Sequence, residues 1–205
     1  MNKKYKFITF EGIEGCGKST QTKKLSEFLL KKKIPSILTR EPGGTRVAEE
    51  IRNILVNGEI DKLDSTTEVL LNFAARRDHI KKLIKPAIDA KNIVICDRFF
   101  DSTVAYQGFA GGVDLAVIEK IKKAAIADFE PDITFLIDVD VKVAMKRILK
   151  RGDNNRYEKM SLEFHESVRA GFLEIAKANK KRFKVIDGSE PPAQVHKKIL
   201  EILAG

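Results

Sequence analysis

Five short apolar runs punctuate the chain, and between them apolar residues return every three or four positions. The runs are Lys6–Glu11 (KFITFE), Ile34–Thr39, Asn92–Cys96 (NIVIC), Asp132–Val139 (DITFLIDV) and Arg182–Ile186. Runs this short, rich in Ile, Val and Phe, predict buried strands. The stretches between them predict helices. One starts at Ser19, with Leu25, Phe28 and Leu29 at helix spacing, and ends near Lys33. The next follows Thr45, a capping residue, carries Val47, Ile51, Ile54 and Leu55 as its apolar stripe, and stops at Asn57-Gly58. Further helices are predicted over Ser65–Lys85 (with Pro86 at the end), Leu115–Phe129, Val141–Arg151, Ser161–Ala178 and Pro192–Leu203. Ser102–Gln107 predicts one or two turns, broken by Gly108 and Gly111-Gly112. Strands alternating with helices predict an α/β fold: a five-stranded, mainly parallel sheet with helices on both faces, in a three-layer sandwich. Ligands then bind beyond the strand C-termini. No repeat or linker divides the chain, so residues 1–205 read as one domain.

Composition narrows the class. The chain is 43% hydrophobic and 33% charged. No run of ~18 apolar residues offers a membrane span, and the N-terminus lacks a secretory apolar core. Cys16 and Cys96 are badly placed to pair and read as reduced thiols, which points to the cytoplasm. The net charge of +9 comes from scattered lysines, such as Lys23-Lys24, Lys81-Lys82 and Lys122-Lys123. They fall on solvent faces and helix ends, so a nucleic-acid partner is not expected.

The chemistry concentrates at Gly12-Ile13-Glu14-Gly15-Cys16-Gly17-Lys18-Ser19, which fits G-x-x-x-x-G-K-[ST] between a strand and a helix. Glycines let the backbone N–H groups converge on phosphate oxygens at a helix N-terminus. Lys18 is expected at the β- and γ-phosphates and Ser19 on Mg²⁺, with Thr20 completing the ATP-binding stretch Gly12–Thr20. Asp97, at the end of a second buried strand, is a further candidate near Mg²⁺, and Arg98 a phosphate clamp beside it. Arg147 and Arg151 lie one turn apart, and Arg156 follows a Gly-Asp-Asn-Asn loop. They form either a lid closing over the transferring group or an exposed basic helix end. Phe73 and Arg77, one turn apart, suit a flat base, although Phe73 also suits plain core. Ser102 with Tyr106 and Thr103 with Gln107 repeat that spacing. The three His show no metal-ligand spacing.

Taken in order, FEGIEGCGKST (Phe10–Thr20), TREPGGT (Thr39–Thr45) and ICDRFFDSTVAYQG (Ile95–Gly108) resemble the thymidylate kinases, which phosphorylate dTMP with ATP. LLNFAARR (Leu70–Arg77) and RGDNNRYE (Arg151–Glu158) extend the likeness along the whole chain. The resemblance implies a P-loop nucleoside-monophosphate-kinase fold with a lid at about residues 147–158. It implies Glu14 near the sugar 3′-hydroxyl or its associated solvent, Arg52 and Arg98 on the dTMP phosphate, and Phe73 stacked on thymine. Arg77 and Gln107 would bond the polar edge of the base. Pro42, Ser102 and Thr103 would help hold the nucleotide, with Tyr106 crowding the 2′ position. Gly15 stands where one branch of the family has an arginine, so catalytic charge would come from Arg147, Arg151 and Arg156, as in the bacterial branch. A homodimer packed through helices such as Ser65–Lys85 is implied too. Three rivals are a kinase for another nucleoside monophosphate, a GTP switch and a nucleic-acid-binding ATPase. The second lacks N-K-x-D and D-x-x-G, and the third lacks clustered aromatics.

Overall fold

The computed structural model describes residues 5–152 and 155–205, with Arg151 described in its backbone alone. At the centre of the sheet lies β1 (Phe7–Glu11), buried at every position. The strand order is β2-β3-β1-β4-β5, with β2 Ser36–Arg40, β3 Ile93–Asp97, β4 Ile133–Asp138 and β5 Phe183–Asp187. Every neighbouring pair is parallel. Alternation along β1 sends its side chains to opposite faces. Phe7 joins Val94 and Cys96 under α3 (Ser65–His79) and α6 (Leu115–Ile126). Ile8 and Phe10 join Ile95 under α1 (Lys18–Lys31) and α9 (Pro192–Ala204). Register sets Asp97 beside both Phe10 and Arg40, so the ends of β1, β2 and β3 open into one cleft.

Three expectations need correction. The helix over Ser65–Lys85 does not end at Pro86. After α3 the chain makes a π-helical turn over Ile80–Ile84, closed by Lys85 N–H donating to Ile80 O, and continues as α4 (Lys85–Asp89). Pro86 sits in the first turn of α4, directly after that π-helical turn. The turns after Asp97 are longer than expected: α5 (Phe100–Thr103) runs into a π-helical segment, Val104–Ala110. Gly108 lies inside that segment, because a Cβ there would come within 2.6 Å of Leu115. In α2 (Arg46–Val56) only part of the apolar stripe faces inward: Leu55 is buried with Ala48, while Val47 and Ile54 are exposed. Thr45 caps α2 by accepting from Ala48 N–H. The chain is completed by α7 (Val141–Arg151), a 3₁₀ turn at Arg156–Lys159 and α8 (Leu162–Ala178).

Candidate active site

The glycine loop leaves β1 and enters α1 at Lys18. Gly12 has φ 139°, and a Cβ there would lie 2.5 Å from Ile137 O. At Gly15, with φ 73°, a Cβ would lie 2.5 Å from Ala144 O, so a side chain is barred from both. Lys18 is buried. Its ammonium donates to the carbonyls of Gly12 (2.9 Å) and Ile13 (2.8 Å), folded back on the loop that carries it. Ser19 Oγ donates to Asp97 Oδ2 at 2.6 Å, which joins α1 to the end of β3. No group of three or more His, Cys, Asp or Glu placed to hold a metal ion occurs among the described residues. A hydroxyl and one carboxylate fit Mg²⁺, which keeps most of its sites for water and substrate phosphates.

Arg98 turns the chain out of β3 with φ 71°, a left-handed conformation uncommon outside glycine. Its guanidinium donates to Gly12 O and Ser102 Oγ, both at 3.0 Å, to Glu14 Oε1 at 2.8 Å and to Tyr106 OH at 3.1 Å. Tyr106 OH in turn donates to Glu14 Oε2. Burial by itself would raise the pKa of Glu14, but Arg98 and Lys18 beside it hold the carboxyl below the ordinary range. Burial also pushes the Tyr106 hydroxyl well up. Arg52 donates to Pro42 O at 2.9 Å. Its pKa is lowered by burial and by the positive charges of Arg40 and Arg98. Arg40 and Arg98 at the ends of β2 and β3, with Arg52 from α2 beside them, make a site for an anion.

Phe73 and Arg77, expected together on a flat base, do not line the cleft. Phe73 is core, 1% exposed, and packs with Val69, Val94 and Phe99. Arg77 turns outward and donates to Ala125 O, at 2.6 Å. The buried face of α3 runs instead through Val69, Asn72, Phe73, Arg76 and His79. Asn72 and Arg76 line the cleft, as do Thr103, Tyr106 and Gln107. Arg76 lies 4.7 Å above the Phe73 ring and donates from Nε to Glu41 Oε2 at 2.6 Å. Its Nη2 donates to Phe99 O and Thr103 Oγ1, both at 3.2 Å. Its Nη1 is buried with no partner among the described residues. Behind it, His79 joins Glu41 Oε1 (3.0 Å) to Thr39 Oγ1 (2.8 Å). Sequence reasoning missed Arg76, Asn72, Glu41 and His79. The signal was present, since Val69, Phe73, Arg76, Ile80 and Ile84 follow one three–four stripe.

The three arginines expected in a lid separate. Arg147 reaches the loop, with Nη1 at 3.5 Å from Gly15 O and 3.4 Å from Cys16 O and Nη2 donating to Gly188 O at 3.0 Å. The side chain of Arg151 lies outside the described residues. Arg156 departs from expectation: it is 1% exposed and donates to Leu55 O, Ile60 O and Glu68 Oε1, which ties it to α2 and α3 rather than to the phosphate loop. The cleft of about 990 Å³ contains Glu14–Gln21, Asp97, Arg98, Arg52 and Arg147 along with the Arg76 and Gln107 pocket. It therefore has room and polarity for two nucleotides meeting at their phosphates.

Comparison with known proteins agrees with this arrangement. A family model described as thymidylate kinase matches residues 10–199. A thymidylate kinase of Geobacillus sp. is 47% identical over 94% of this chain and 92% of its own. One of Wolbachia pipientis wMel is 47% identical over 95% of this chain and 98% of its own. The crystal structure of a thymidylate kinase from Ehrlichia chaffeensis superposes with a TM-score of 0.77 at 42% identity, covering 97% and 98% of the two chains. With a matching family model over most of its length, relatives above 40% identity and the same fold, the chain belongs to the thymidylate kinase family.

Proposed function

We propose that this ATP-dependent dTMP kinase transfers the γ-phosphoryl group in line to the dTMP phosphate, giving dTDP and ADP, and that positioning and charge do most of the catalysis. The observation that carries this is one cleft holding both the Gly12–Ser19 loop and, one strand away, the Arg98–Glu14–Tyr106 cluster. Loop N–H groups and Lys18 hold the ATP phosphates; Lys18 exchanges its two loop carbonyls for phosphate oxygens. Ser19 and Asp97 would hold Mg²⁺, which offsets phosphate charge when bound. Arg98 and Arg52 place the acceptor phosphate. Glu14 faces the 3′-hydroxyl, and the Tyr106 ring fills the space a 2′-hydroxyl would need. Arg76 Nη1, a buried donor with no partner among the described residues, meets a ring carbonyl of the base, and Gln107 meets the neighbouring ring N–H. Pro42, Ser102 and Thr103 wall the nucleotide. Arg147 and Arg151 supply positive charge over the transferring group, because Gly15 admits no side chain. Arg156 anchors the lid base. Two copies pack through the outer faces of α2 and α3, where Val47, Ile54 and Leu70 are exposed.

Steady-state assays with ATP and each of dTMP, dUMP, UMP and AMP test the reading. The highest kcat/KM is expected with dTMP, and Lys18→Ala is expected to lose roughly 10³-fold or more while remaining folded. Preference for another acceptor, or turnover retained by Lys18→Ala, would sink it.

A further inference from the structure

We infer that Glu68 is a positioning residue for base recognition: it fixes which end of the Gln107 amide faces the cleft. This role rests on the base reading proposed above. Glu68 projects from the first turn of α3 and is 6% exposed. Its Oε2 accepts from Gln107 Nε2 at 2.7 Å and from Tyr157 OH at 3.1 Å, and its Oε1 accepts from Arg156 Nη2. A carboxylate paired with a guanidinium offers acceptors only. Gln107 must therefore turn its NH₂ toward Glu68. The reverse orientation would set two buried oxygens against each other, with no proton between them. Oε1 of Gln107 accepts no hydrogen bond among the described residues, and the residue lines the cleft. The cleft then presents an acceptor from Gln107 and, from the Arg76 that lines it, an Nη1 donor buried without a partner among the described residues. That pattern matches a carbonyl next to a ring N–H, as in thymine. It opposes the amino group and bare ring nitrogen of cytosine. Without Glu68 the amide is free to flip, and the acceptor becomes a donor that tolerates cytosine.

Were Glu68 only the anchor of Arg156, removing it would weaken every substrate alike. The test compares kcat/KM for dTMP and 5-methyl-dCMP, which carry the same methyl and differ only in the pattern that Gln107 and Arg76 read. Wild type should strongly prefer dTMP. Glu68→Gln keeps the volume but can give or accept a proton, so the preference should fall about tenfold or more, the weight of one hydrogen-bond contact. In a Gln107→Leu background the same change should leave the ratio untouched. Equal losses with both nucleotides, or an unchanged ratio, would overturn the role of Glu68. A wild-type enzyme that uses both alike would overturn the base reading beneath it. If Glu68→Gln fails to fold, the wild-type enzyme decides. The side-chain amide protons of Gln107 should exchange slowly with solvent, and exchange at the rate of a free amide would overturn the proposal.

Discussion

Glu11 closes β1 with its carboxyl fully buried, accepting from Phe99 N–H at 2.7 Å and Ser102 Oγ at 2.6 Å. Burial pushes its pKa up to about 8, with the charge of Asp101 adding to the rise and Arg98 opposing it. The folded protein thus keeps a proton that the unfolded chain gives up near 4.5. Stability from that proton is complete below about pH 4.5 and is lost as pH rises through about 8. Denaturant midpoints should accordingly fall between about pH 5 and about pH 8. Glu11→Gln, neutral and of the same shape, should flatten this slope; parallel profiles for the two proteins would refute it. Arg76 and Arg77 show how far single residues can be read from the chain. Neighbours in sequence point about 100° apart on a helix. One arginine therefore enters the cleft and the other reaches Ala125 O. Only the apolar stripe around them tells which is which.

At the scale of elements, the turn after the Arg151 loop is fastened from below. Arg156 crosses from the 3₁₀ turn at Arg156–Lys159 to the carbonyls of Leu55 and Ile60 and to Glu68 in α3. Asn155 and Glu158 close the turn with a capping box. Arg156→Ala would leave the Glu68 carboxylate buried without its cation, which costs about 3–5 kcal/mol. We expect Tm to drop by on the order of 10 °C, measured by thermal denaturation. A Tm within about 2 °C of wild type would mean that Glu68 needs no partner. The sequence left these arginines as either a lid or an exposed basic helix end, the resemblance favoured a lid, and a loop's spacing cannot say which of its cations turns inward. That choice was made by Glu68, 88 residues away in the chain. The helix after Asp97 shows the same limit. Its polar residues were legible at helix spacing, while the π-helical winding over Val104–Ala110, with Gly108 packed closely against Leu115 and Ile118, was not.

At the scale of the whole molecule, α2 and α3 leave Val47, Ile54 and Leu70 exposed, and Leu70 is 53% accessible. If two copies bury these faces, Leu70→Glu should convert a dimer to a monomer in sedimentation, with the fold retained. A monomeric wild type, or a dimer unaffected by the charge, would put the interface elsewhere. The sheet that supports these helices was written into the chain. Five short apolar runs between helical stretches, with G-x-x-x-x-G-K-S after the first, determine a parallel α/β fold and a phosphate loop at its strand ends. Those signals are local: side-chain period, glycine at left-handed turns, a helix start. The tertiary structure alone decided the order β2-β3-β1-β4-β5, the partners that hold Arg76 and the burial of Arg156. Each depends on partners far apart in sequence, and only packing brings a buried charge to the one group that can satisfy it.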